Sequence, residues 1–182
     1  SVDGRLLPKY WSPLYNASSS VTEVYEAADA KLSADGWIVG RKTMAEYGAD
    51  VVEEKEPMEG HKTMQTNTFI GKREGRPLAV VFDIQGRLHY KSPTLPSGEH
   101  IVAVLGSHVT RAYQKELEEI GVSYIMRTPG SKLEETQSAL KHLEHDFNVK
   151  HMLLEGGAIT CGNFLQMGLV DELSMIVYPG LD

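Results

Sequence analysis

Short apolar runs alternate with segments of helical period along this chain, and that alternation limits the fold more than any other feature. "WIVG" (Trp37 to Gly40), "PLAVVFD" (Pro77 to Asp83), "HIVAVLG" (His100 to Gly106), "VSYIM" and "HMLLE" (His151 to Glu155) each have the length and composition of a buried strand. Between them, "TRAYQKELEEIG" and "KLEETQSALKHLEHDF" (Lys132 to Phe147) repeat their apolar residues at helical spacing. Strands that alternate with helices favour an α/β sheet that is mostly parallel, because parallel neighbours need a crossover. The chain reads as one domain, 1–182.

The edges of these elements carry their own signals. Ser20 and Glu23 have capping-box spacing, Val21, Val24, Ala28 and Leu32 follow at helical spacing, and Gly36 stands where that helix would stop. "RKTMAEYG" is a short helix ending near Gly48, and Gly121 is a stop signal for the helix before it. Leu133, Leu140, Leu143 and Phe147 form the apolar side of the Lys132 to Phe147 helix. From Ala49 to Gly75 the chain is polar and aperiodic, as a solvated loop would be. "ELSMIVYP" reads as a last strand. The sequence opens on turn residues and stops just after that strand, so a further strand before Ser1 and a terminal pair after Asp182 are expected.

Composition bounds the function. A net charge of −7 without a basic block argues against nucleic acid as a partner. No apolar stretch reaches the roughly 18 to 20 residues that span a bilayer, so no membrane partner is expected. Cys161 is the only cysteine, which fits a reducing cytoplasm and a packing role in a first helical turn. His142 and His145, three apart on a charged helix, read as solvated residues rather than metal ligands, since no third ligand accompanies them.

Two strand-to-helix junctions carry the chemistry. In "IVGRKT", Gly40 lets a ligand lie against the main chain, and the free N–H groups of the following helix would face it. Arg41 and Lys42 add charge, and Thr43 adds a hydroxyl, a set suited to a phosphate. In "LLEGGAITCGNFL", Gly156, Gly157 and Ala158 open a second helix in the same way. Each turn alone is equally explained as a tight corner. Two at strand carboxyl edges fit the pair of phosphates of a dinucleotide, because ligands of open α/β sheets gather there. Neither turn matches the G-x-G-x-x-G or P-loop patterns. A third cluster, Gly106, Ser107, His108 and Arg111, would suit a ribose 2′-phosphate or be simply a surface loop. Glu155, beside the glycines, either orients substrate and relays a proton or accepts local backbone N–H groups. Trp11 and Tyr47 are candidates to stack on a flat substrate, or else to pack in the core or at its rim.

"VGRKTMAEYG" resembles the G-R-x-T segment of dihydrofolate reductases. "LLEGGAITCGNFLQMGLVDELSMIVYPGL" is similar to the E-G-G and L-V-D-E-L run of the riboflavin-biosynthesis reductase domain, the C-terminal half of bifunctional deaminase-reductases, and "SVDGRL" to that group's opening. The resemblance implies a dihydrofolate-reductase-like fold, NADPH as cofactor, hydride transfer to a small heterocyclic or imine-like substrate, and a homodimer. By position it implies cofactor contacts for Gly40, Arg41, Thr43, Gly156 and Gly157. It also implies that Glu155 and the Asp3 to Arg5 turn face the substrate. Two departures fall on the substrate side: Tyr47 stands where the family carries an aspartate, and Arg5 where it carries a lysine. They fit a stand-alone relative with a diverged substrate, or alternatively a sensor that binds NADPH or a metabolite without turnover.

Overall fold

The computed structural model describes residues 18–47, 51–60 and 68–175. Contacts divide the chain into two compact units, Ala34–Leu169 and a smaller one drawn from Ser1–Ser33 and Val170–Asp182.

The larger unit is built on a sheet of five parallel strands: β1 (Gly36–Gly40), β3 (Leu78–Phe82), β5 (His100–Leu105), β6 (Ser123–Met126) and β7 (Leu153–Gly156). Their spatial order is β6-β5-β3-β1-β7. Two short strands, β2 (Val51–Glu53) and β4 (Leu88–Tyr90), pair antiparallel in a separate sheet. Helices α2 (Arg41–Tyr47), α3 (Arg111–Ile120), α4 (Lys132–Phe147) and α5 (Ala158–Gln166) flank the parallel sheet. This is the α/β class with a mostly parallel, helix-flanked sheet that the alternation predicts. No described helix is long and apolar enough to cross a membrane.

β3 and β5 are buried along almost their whole length, as strands covered on both faces must be. Ala79 and Val81, with Ile101, Ala103 and Leu105, join Tyr113 and Leu117 of α3 in one core cluster. The next residue along β3, Phe82, meets Phe164 of α5 edge-to-face at 5.4 Å. Each fully buried Leu or Val here contributes about 1.5–3 kcal/mol relative to exposure, so the central strands anchor whatever the sheet's edge presents.

Helix ends follow local chemistry. The Thr110 hydroxyl caps α3 by accepting from the Tyr113 N–H, and Gly121 ends the helix in the left-handed region at φ 90°. Ser131 and Glu134 form a reciprocal capping box at α4, which ends on left-handed Asn148.

Four expectations need correction. The first helix, α1 (Ser18–Leu32), starts before Ser20, so Ser20 lies inside it rather than capping it. Its end is marked by Ser33 at φ 47°, whereas Gly36 opens β1. There a Cβ would overlap the Leu78 carbonyl oxygen and lie 2.6 Å from its nitrogen, so only glycine lets β1 and β3 approach. The polar 49–75 stretch contains β2, which exists because β4 supplies its partner. In α4 the buried positions are Thr136, Ala139, Leu143 and Phe147, while Leu133 is 37% exposed and Leu140 half-buried. Of the expected strand at Glu172 to Pro179, the described part, Glu172 to Met175, has no regular structure. The rest lies outside the described residues.

Candidate functional site

The carboxyl ends of β1 and β7 lie side by side, because the two strands are paired. Their register shifts between Ile38 and Val39: Ile38 faces Leu154, and Val39 faces Gly156. Glu155 is the extra residue of this irregularity, and such a bulge re-aims the side chain it carries. The Glu155 side chain is exposed.

The two glycine turns interlock across this pair. A Cβ at Gly40 would overlap the Thr160 hydroxyl on α5 and lie 3.9 Å from the Gly156 carbonyl oxygen. A Cβ at Gly157 would lie 3.2 Å from the Thr43 hydroxyl on α2. Each glycine therefore faces a threonine of the other turn. Gly156, at φ 136°, is buried, with no described atom within 4 Å of where a Cβ would stand, and its peptide bond to Gly157 is cis. Gly157 is the N-cap of α5 and offers no side-chain hydrogen bond to the first-turn N–H groups. Gly157 and Ala158 are exposed. Uncapped helix amides beside the exposed Gly157 and Ala158 form a cradle for an anionic, backbone-hugging ligand.

Arg41 and Lys42 diverge in surroundings. Lys42 is exposed. Arg41 makes an ion pair with Glu53 of β2, a carboxylate that Arg87 also approaches at 3.3 Å. Ser107 is half-buried in the β5–α3 connection, and His108 beside it is exposed. Arg111, expected in that cluster, is instead held within its own helix, its guanidinium donating to both oxygens of Glu118 at 2.6 and 3.0 Å. The cation of that cluster is thus ion-paired with Glu118. Asp3, Arg5 and Trp11 lie outside the described residues, as does the Tyr47 side chain.

Sequence reasoning missed a buried acid at the centre of this edge. Asp83 follows β3, is fully buried, and accepts from the Arg87 N–H at 2.6 Å and the Leu88 N–H at 2.9 Å. Burial pushes its carboxyl above the usual 3.8, against the pull of those N–H groups and of Arg41. Its other oxygen, Oδ1, has no hydrogen-bond partner among the described residues, and neither has the buried Tyr90 hydroxyl. The available signal was an acid closing an apolar run, "LAVVFD". Thr160, Glu53 and Arg87 were missed as well, and only the strand pairing brings them in.

Elsewhere, His142 and His145 both sit against Asp146, at 2.6 and 2.8 Å. Cys161 is half-buried, and burial raises its thiol above the ordinary value.

A profile of the RibD C-terminal domain family matches residues 1–181. Among solved structures the chain is similar to a pyrimidine reductase-like protein from Corynebacterium diphtheriae, at 21% identity and a TM-score of 0.49. That match covers 80% of this chain and 61% of the other, so this chain spans about three fifths of that protein's length. Nothing among curated proteins matches the chain.

Proposed function

Because the chain belongs to the RibD C-terminal domain family, we propose that it is a reductase of the riboflavin-pathway kind that uses a reduced nicotinamide dinucleotide. The observation that carries this reading is the interlocked pair of glycine turns, Gly40 against Thr160 and Gly157 against Thr43. Adjacent parallel strands supply both turns at their carboxyl ends, the edge at which open α/β sheets bind ligands. The residues fit the group: Gly157 and Ala158 are exposed, and α5 presents uncapped amides there. NADPH is the form that the family resemblance implies.

Gly40, Gly156 and Gly157 would hold the dinucleotide's backbone against the sheet, and Thr43 and Ala158 would flank it. A reduced nicotinamide bound there would supply a hydride to the carbon of a substrate C=N bond and become oxidised. The substrate nitrogen then takes one proton to complete the reduction. Glu155, the exposed carboxylate set out of the β1–β7 ladder by the register shift, is the group we assign to supply it. The substrate is a small heterocycle or imine-like molecule of the riboflavin-precursor or pteridine-like class. Two copies of the chain would form the working enzyme.

Turnover is read from the disappearance of reduced nicotinamide when flavin-precursor and pteridine substrates are offered. Glu155→Gln should lower kcat by roughly 10²–10⁴-fold, the range of a general acid's contribution, with little change in dinucleotide affinity. Departures at Tyr47 and Arg5 favour a second reading, a sensor that binds without turnover. In that case no substrate consumes the dinucleotide, and Glu155→Gln leaves binding and function alone.

A further inference from the structure

His100 opens β5 at the end of the sheet away from the glycine turns. Its register partner is Leu78, which in turn faces Gly36, the first residue of β1. His100 and Ser123, the first residue of β6, are both fully buried. His100 Nε2 meets the Ser123 hydroxyl at 2.7 Å, and that hydroxyl also accepts the Gly71 N–H at 2.9 Å. Serine has a single proton, so the arrangement that uses it has the O–H donating to Nε2 and the imidazole neutral, its proton on Nδ1. Nδ1 is buried and has no hydrogen-bond partner among the described residues.

Gly71 belongs to a strap, residues 68–76, that covers β6, the edge strand of the parallel sheet. Phe69 and Tyr124 exchange N–H to carbonyl bonds at 2.9 and 3.0 Å, and their rings lie 5.8 Å apart. A Cβ at Gly71 would overlap the Gly121 carbonyl oxygen and stand 3.4 Å from His100 Cε1, so the strap passes directly against the imidazole. Burial, with the Arg73 and Arg76 charges on the strap, holds His100 below its ordinary 6.5. The neighbouring strands β3 and β6 carry no charged residue. Glu74 is paired with Arg76 at 3.1 Å, and Glu99 accepts from Ser97 and Trp37. From α4, His142 meets the strap at Thr68, 3.4 Å away, and is paired with Asp146.

We propose that the Ser123–His100 pair is an acid-sensitive latch: protonation of His100 releases the 68–76 strap from β6. A second proton on the ring lands on Nε2, so the Ser123 O–H loses its acceptor. The charge is then buried beside two arginines, with an Nδ1–H that has nothing to donate to. Departure of the strap removes both arginines and admits water, which relieves all three costs. The strands beneath keep their apolar core, so the opening is local. Because the open state binds the proton more tightly, closure is complete above 6.5, and the open fraction grows as pH falls from there toward the depressed value. Opening frees the β6 edge to pair with another chain. The latch is independent of the reductase reading.

The test is hydrogen exchange on the full chain from about pH 8 to about pH 4, with each rate divided by the intrinsic rate at that pH. Protection of the Phe69, Gly71 and Tyr124 amides should fall by up to about tenfold per pH unit below 6.5. The amides of Val80 and Val102, in the buried central strands, should keep theirs. His100→Gln cannot titrate and should flatten the profile, whereas His142→Gln should leave it as in wild type. If His100→Gln fails to fold, an NMR titration of the wild-type His100 ring decides, and the fall in protection should level off where the ring titrates. A flat wild-type profile overturns the latch, as does a loss that spreads equally to Val80 and Val102. So does a profile that survives His100→Gln or is flattened by His142→Gln, or a ring midpoint at or above 6.5.

Discussion

Replacing Gly40 with alanine tests the interlocked turns through stability as well as binding. Gly40 does not have positive φ, so alanine is conformationally allowed there, and stiffening the unfolded chain would by itself stabilise by roughly 0.4–1 kcal/mol. The new Cβ, however, would overlap the Thr160 hydroxyl. Overpacking of this kind costs about 1–3 kcal/mol, which outweighs the entropic gain. The net loss should be about 1–2 kcal/mol, a fall in Tm of roughly 2–8 °C for a chain of this length. The obstruction is one atom: the Thr160 Cβ would stand 3.6 Å from the new methyl group, an ordinary contact. Adding Thr160→Ala should therefore restore most of the loss. In urea denaturation, Gly40→Ala/Thr160→Ala should match Thr160→Ala alone within about 0.5 kcal/mol, and the cycle should yield a coupling of about 1–2 kcal/mol. Gly40 is buried and its Cβ would point at Thr160, so dinucleotide binding by the double variant should stay close to that of Thr160→Ala alone. A Gly40→Ala protein as stable as wild type would refute the packing argument, and so would a double variant that shows no rescue.

Two other changes probe the scaffold beneath the site. Thr110→Ala removes the hydroxyl that accepts the Tyr113 N–H at the head of α3, and thermal denaturation should show a loss of about 1 kcal/mol. Asp83 has a carboxyl raised by burial, so the folded protein holds this proton more tightly than the unfolded chain does. Its ionisation lowers stability fully above the raised value, and the loss is recovered as pH falls toward 3.8. Asp83→Asn removes that component. The difference between wild-type and variant denaturation series should then shift in favour of wild type on acidification through this window, and a pH-independent difference would contradict it.

The strands that carry the site were legible because they are buried on both faces, which forces near-continuous apolar runs such as Leu78 to Phe82 and His100 to Leu105. Helix α4 was legible because its apolar residues recur at helical spacing; the Ser131 and Glu134 cap that fixes its start went unread. Its inward face was read less well. Leu133 and Leu140 share the helical period, but the sheet covers Thr136, Ala139, Leu143 and Phe147, and that choice belongs to tertiary packing. β2 was hidden for a related reason: three residues in a polar stretch become a strand only when Leu88 to Tyr90 lie beside them. The same gap concealed the Arg41–Glu53–Arg87 cluster. The glycine turns were visible as turns, whereas their mutual contact through Thr43 and Thr160 depends on β1 and β7 being neighbours.

The most direct test of the account compares reduced-nicotinamide binding by wild type and Gly157→Asp, with circular dichroism as the check on folding. Gly157 is the N-cap of α5 at φ −77°, a conformation open to aspartate, whose Cβ would stand 3.2 Å from the Thr43 hydroxyl and need that side chain to shift slightly. Its carboxylate would occupy the bare amides of that helix and repel the anion they would hold. The account predicts saturable binding by wild type and its loss in the folded variant. Equal binding by both proteins, or none by wild type, would contradict it.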